Sequence, residues 1–135
     1  MVMVFWDYPS LAIGFMNDEH ATFVDLINEA GDALTMGRFS VQHFKRLVQH
    51  CQEHFAHEER EMQRTQFRHF QAHKHEHDRV LTEMLALLAN YEQDESVGPL
   101  LDYVQDTLPD WFVRHLNSMD RVTAGHLARH SAATA

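Results

Sequence analysis

Seven side chains with metal-ligand chemistry stand at suggestive spacings: His20, then His54 and Glu58, then His73 and His77, then His115 and Asp120. His54/Glu58 and His73/His77 are i,i+4 pairs, and on a helix that spacing stacks both side chains on one face, one turn apart. Imidazole nitrogens and carboxylate oxygens suit a transition-metal ion, and carboxylates can be shared between two. Donors drawn from four separate segments are therefore what a two-metal centre inside a helix bundle would require.

Histidine is abundant here, 12 in 135 residues, so a lone H-x-x-x-H carries little weight. His50/His54, His69/His73, His73/His77 and His126/His130 all satisfy it, and an arbitrary pair is most simply two polar histidines on a wet face. Position relative to the apolar stripe is what selects among them. His20, His54, His73, His77 and His115 each recur at helical spacing among Phe, Ile, Leu and Met. Burying five imidazoles and the Glu58 carboxylate in one apolar core is costly without a partner, and a metal satisfies them together.

The elements that must position these groups read as helices. His20, Phe23, Val24, Ile27, Gly31 and Leu34 mark one face of a first helix, with Asn17 or Asp18 as its expected N-cap and Gly37 as its stop. Ser40 should cap a second helix whose inner face is Phe44, Leu47, Cys51, His54, Phe55, Glu58 and Met62. After a break near Thr65–Arg68, a third carries Phe70, His73, His77, Val80, Leu81, Met84, Leu88 and Tyr91, and Asn90 to Gly98 reads as a turn. The fourth starts near Pro99, a residue suited to the first turn, and runs through Leu101, Val104, Leu108, Trp111 and His115. Pro109 should kink it or break it at Leu108.

Two ligands on this last helix are awkwardly placed. His115 and Asp120 are five residues apart, and at about 100° per residue they lie roughly 140° apart on a regular helix. They share a face only if the backbone unwinds or forms a π-type bulge near Leu116–Met119.

Short connections favour antiparallel neighbours, so the fold class expected is all-α: an up-down-up-down four-helix bundle with an extended N-terminal arm. One domain over 1–135 is expected, with an arm at 1–16 and a frayed tail at 128–135. Hydrophobic content of 44% with only 5 Gly and 3 Pro fits a helical globule. The formal net charge of -9 argues against nucleic acid and anionic membrane surfaces as partners. No uncharged run approaches the roughly 20 residues of a membrane span, and no basic leader precedes the first apolar stretch. A single cysteine, Cys51, excludes an internal disulfide and cysteine-based zinc sites; we expect a cytoplasmic protein with a buried, inert thiol, and favour a monomer.

Taken together, I13-G-x-x-N-D-x-H20, H54-F-x-x-E-E-x-x-M62, H73-x-x-x-H77 and W111-x-x-x-H115-L-x-x-x-D120 resemble the hemerythrin family, including its bacterial single-domain members. The likeness spans roughly residues 6 to 125 and includes the five-residue step. It departs from the family at Phe67-Arg68, where members commonly carry Tyr-Pro, and at Pro109, two residues before Trp111.

The resemblance implies two non-haem iron ions with a bridging oxo or hydroxo group. His73, His77 and His115 would bind one iron and His20 and His54 the other, with Glu58 and Asp120 bridging. Three imidazoles against two leave one iron a ligand short, where dioxygen would enter. The implied function is reversible dioxygen binding for storage, transport or delivery, without catalysis, with an oxygen-requiring enzyme as the recipient. Other readings are an oxygen or redox sensor, a di-iron enzyme acting on peroxide or nitric oxide, and a histidine-rich metal buffer. Carboxylate-rich di-iron enzymes use Glu-x-x-His motifs, and none occurs in this chain.

Phe23, Phe55, Trp111, Phe112 and Leu116 are the expected walls of a dry ligand pocket. His43, His50, His57, His69, His75, His126 and His130 are read as solvent-exposed, and Glu59 and Glu61 as a solvated face.

Overall fold

The computed structural model describes residues 10–134, with side chains described to residue 130. Four helical rods account for almost all of it: α1 (Gly14–Thr35), α2 (Val41–Arg64), α3 (Phe70–Asp94), and a fourth rod made of consecutive segments. That rod is α-helical over α4 (Gly98–Asp102), α5 (Leu108–His115) and α6 (Arg121–Thr134), and π-helical over Tyr103–Thr107 and Leu116–Asp120. No strand occurs among the described residues. The expected bundle is the fold: α1 packs on α2, α2 on α3, and the fourth rod touches all three.

Local chemistry sets the ends of the rods. After α1, Gly37 adopts a φ of +69°, and the Arg38 N–H reaches back to the Ala33 carbonyl at 2.8 Å, the left-handed closure that glycine permits at low cost. Residue Ser40 stands at the N-cap of α2, where its own N–H donates to His43 Nδ1 at 3.0 Å. The start of α1 differs from the expectation. Helix α1 begins at Gly14, before Asn17, because the Asn17 amide is committed to Leu11: it accepts from the Leu11 N–H at 2.7 Å and donates to the Leu11 carbonyl at 2.8 Å. An amide so engaged ties the preceding chain to the helix and cannot cap it.

Two further boundaries are corrected. Helix α3 continues to Asp94, so the connection to the fourth rod is shorter than the polar stretch from Asn90 suggests. The fourth rod continues through Pro109, which is buried, with no break at Leu108. Proline lacks an N–H and crowds the preceding turn. Here the wider π turn stands just before it, with the Leu108 N–H bonded to the Tyr103 carbonyl. The last helix extends to Thr134. Residues 1–9, most of the expected arm, lie outside the described residues.

The main apolar core includes Phe44, Leu47, Ile27, Met84, Leu100 and Leu108, and reaches the histidines through Phe23, Phe55, Trp111 and Phe112. Cys51 is inside it, and burial pushes its thiol up from the ordinary range, as an inert core thiol requires. No helix among the described residues is long and apolar enough to cross a membrane.

Candidate metal centre

All seven sequence-selected donors are buried, each no more than 6% exposed, and they converge between the four rods. Helix α1 supplies His20, α2 supplies His54 and Glu58, α3 supplies His73 and His77, and the fourth rod supplies His115 and Asp120. The π turn Leu116–Asp120 resolves the five-residue step. It carries the Arg121 N–H to the Leu116 carbonyl, and its extra residue returns Asp120 to the face of His115.

Two clusters result. His73, His77, His115 and Asp120 could hold one metal ion, and His20, His54 and Glu58 another, each with its donor atoms mutually within 4.8 Å. The carboxylates face both clusters. Glu58 Oε1 lies 3.2 Å from His77 Nε2 and 3.6 Å from His73 Nε2, while its Oε2 lies 3.1 Å from His54 Nε2 and 3.9 Å from His20 Nε2. Asp120 Oδ1 is 3.1 Å from both His73 Nε2 and His115 Nε2, and Oδ2 is 3.2 Å from His20 Nε2. Each carboxylate thus divides its two oxygens between the two histidine groups.

The donor atoms fit a metal better than they fit one another. Both Glu58 oxygens, His77 Nε2 and both ring nitrogens of His20 are buried without a hydrogen-bond partner. Such orphaned polar atoms are rare in a folded core, and a cation between them would satisfy most at once. Without a cation the charges hold one another. Burial raises the Glu58 carboxyl, and so does the neighbouring Asp120 charge, but His54 and His77 outweigh both and keep it well below the usual range. Burial likewise opposes ionisation of Asp120, and His115, His20 and His73 overcome it. Burial disfavours a charged His54, yet Glu58, Glu19 and Asp120 lift it to about 10.

A second layer of contacts orients the ligand rings, and the sequence did not reveal it. Glu19 Oε1 meets His54 Nδ1 at 2.7 Å, and its Oε2 meets His57 Nδ1 at the same distance. Glu59 Oε2 meets His77 Nδ1 at 2.9 Å, and the Thr123 hydroxyl meets His73 Nδ1 at 2.7 Å. Glu59 is therefore not part of a solvated face, although Glu61, paired with Arg64 at 3.0 Å, is. Burial raises the Glu19 carboxyl, but its bonds to His54 and His57 prevail and hold it below its ordinary value. Partners of this kind fix ring orientation and ligand basicity. Replacing Glu19 by alanine should weaken metal at the His20/His54 cluster about 10- to 100-fold, as read by competition with a chelator; unchanged affinity would remove Glu19 from the site.

Among the other histidines, His69 and His75 are exposed, while His43, His50, His57, His126 and His130 are only partly so. His50 Nε2 lies 2.9 Å from the Glu19 carbonyl, and His126 Nε2 lies 2.9 Å from the Thr65 hydroxyl. Reading all seven as solvated overlooked these contacts, because a polar ring on a helix flank looks alike whether water or a neighbouring helix meets it.

Phe23, Phe55, Trp111 and Phe112 line, with His20, His54, His115 and Asp120, a pocket of about 10 Å³. That is room for about one water-sized molecule. Leu116 is fully buried but not among the lining residues. Phe55 stacks on the His77 ring at 4.0 Å, Trp111 on His115 at 4.5 Å, and Phe112 meets His20 edge-on at 5.2 Å.

Comparison with known proteins places this geometry in context. The hemerythrin HHE cation binding domain matches residues 11–127. A bacteriohemerythrin of Methylococcus capsulatus is 30% identical over 115 residues, covering 82% of this chain and 84% of that protein. One from Ralstonia nicotianae is 30% identical over 112 residues, covering 82% and 77%. Among solved structures, a hemerythrin with a leucine-to-tyrosine substitution superposes with a TM-score of 0.84 at 27% identity, over 95% of this chain and 97% of the other. A leucine-to-phenylalanine variant gives 0.84 at 28% identity with the same coverage.

Proposed function

This chain belongs to the hemerythrin family, and from that premise we propose that it binds dioxygen reversibly at a non-haem di-iron centre, to store, carry or deliver it. The observation that carries the reading is the splitting of Glu58 and Asp120 between two histidine groups. His73, His77 and His115 hold one iron, His20 and His54 the other, and the two carboxylates bridge. When bound, the iron pair supplies the two electrons that dioxygen takes up and gives back.

The chain's own residues do the rest. With two imidazoles against three, the ion held by His20 and His54 would have the room for a further ligand, and the small pocket is bounded by those two rings together with His115 and Asp120. Phe23, Phe55, Trp111 and Phe112 keep that position dry, which excludes the protons and water that would expel a reduced ligand. The pocket's size selects molecules of a few atoms. We place the protein in the cytoplasm, as a monomer, with an oxygen-requiring enzyme as recipient.

The direct test is the visible spectrum of the reduced, iron-loaded protein under air and then argon. The expected result is an absorption band that grows in air, bleaches under argon and returns over repeated cycles, with two irons per chain. Irreversible oxidation on first exposure would instead indicate a redox enzyme or sensor. Zinc, or clearly fewer than two metal ions, would end the dioxygen reading.

A further inference from the structure

Two cavities share a wall. The inner pocket beside His20 and His54 and a surface cavity of about 180 Å³, bordered by Glu76, Arg79 and Arg114, have Trp111 and His115 in common. Of those two, His115 is held from inside, its Nε2 3.1 Å from both Asp120 Oδ1 and His73 Nε2. The indole of Trp111 is the other shared wall. It lies flat on the His115 ring at 4.5 Å, with an interplanar angle of 17°, and is 8% exposed.

One directional bond fixes its outer edge. Trp111 Nε1–H donates to Glu76 Oε1 at 2.8 Å. The same oxygen accepts from Arg79 Nη2 at 2.7 Å, and Arg79 Nε reaches Glu76 Oε2 at 3.2 Å. The two contacts on α3 are a turn apart, so the arginine braces the carboxylate against the helix surface. A donor on a carboxylate makes a stronger bond than a neutral pair. An apolar ring in van der Waals contact on its face and hydrogen-bonded at its rim has one easy way to swing outward, and the bond to Glu76 opposes it.

We propose that Trp111 is the gate between the surface cavity and the inner pocket, and that Glu76, braced by Arg79, is the positioning residue that keeps it shut. The inference rests on the reading that the inner pocket receives a small ligand. A gate lowers passage in both directions equally. It therefore sets how fast a ligand comes and goes without setting how tightly it is held.

Azide, a small linear ligand of ferric iron, is the probe on the oxidised, iron-loaded protein, followed by stopped flow. Glu76→Ala removes the acceptor and Arg79→Ala removes its brace, and each should raise the association and dissociation rates by a common factor, about tenfold for Glu76→Ala. The dissociation constant should stay within about twofold, and the double variant should be no faster than the faster single one. Unchanged rates in both variants would overturn the gate. So would a changed dissociation constant with only one rate moved, because Trp111 would then be a contact of the bound ligand.

A second measurement does not depend on iron. In a Trp6→Phe background only Trp111 emits, and in the metal-free full chain Glu76→Ala should increase acrylamide quenching severalfold at unchanged helical circular dichroism. Quenching that stays the same would sink the latch. Failure to take up two irons, with the quenching difference intact, would instead count against the di-iron reading.

Discussion

Replacing Glu58 by alanine should give a helical protein that retains at most one metal ion per chain after loading and desalting, against two for the parent. Glu58 is fully buried, and its two oxygens are the only groups from α2 that face both histidine clusters. On the proposed assignment, truncation would remove a ligand from each ion and the bridge between them. Since His73, His77, His115 and Asp120 still converge, that cluster is the one expected to keep its ion. The neighbouring acids supply the controls. Glu59→Ala removes a hydrogen bond to His77 and a 4.0 Å ion pair with Lys74, and should hold two ions with affinity reduced about 10- to 100-fold. Glu61→Ala, on a side chain paired with Arg64, should change nothing. Metal content by elemental analysis, with circular dichroism as the folding check, decides it. Two ions bound by the Glu58→Ala protein would show that it does not bridge.

That ordering of three nearby acids was only half legible in the chain. Glu58 could be picked out because it stands one helical turn from His54 on an apolar face, and a buried carboxylate needs a partner. Glu59 and Glu19 could not, since an acid on the flank of a helix has the same sequence signature whether it meets water or a ring from the next helix. Their role depends on how α1, α2 and α3 are rotated about their axes, and no single helix encodes that. Glu19 does adjoin His20 in sequence, which turns it toward α2 once His20 faces the interior.

The two π turns make the same point from the backbone. The one at Leu116–Asp120 was foreseeable, because His115 and Asp120 cannot share a face on a regular helix. The one at Tyr103–Thr107 has no ligand pair to betray it. Pro109 signalled a disturbance, and a break was the simplest reading. In the fold the disturbance is absorbed one turn earlier, where the surrounding core of Tyr103, Val104 and Leu108 holds the rod together. Local rules name the strain, while packing chooses how it is relieved.

Stripping the metal should lower the melting temperature by more than about 10 °C, and the gap between loaded and metal-free protein should widen as pH rises. The size follows from linkage: at a free metal concentration of about 1,000 Kd, one site adds roughly 4 kcal/mol, and each kcal/mol moves the midpoint by roughly 2–8 °C in a domain of this order. The sign follows from His54. In the metal-free protein its pKa is raised to about 10, since the carboxylates of Glu58, Glu19 and Asp120 outweigh the burial that opposes its charge. A proton there stabilises the metal-free fold fully below the unfolded value of about 6.5, and that contribution disappears as pH climbs through about 10. His77 is raised too: burial opposes its charge, the neighbouring Glu58 and Glu59 carboxylates prevail, and it acts in the same direction. A metal needs the neutral ring, so it must displace these protons, easily in base and with increasing difficulty in acid. Loading at pH 8 in weak buffer should therefore release at least one proton per chain, read with an indicator dye. A melting temperature indifferent to metal, or loading without proton release, would mean that the buried histidines already have the partners they need.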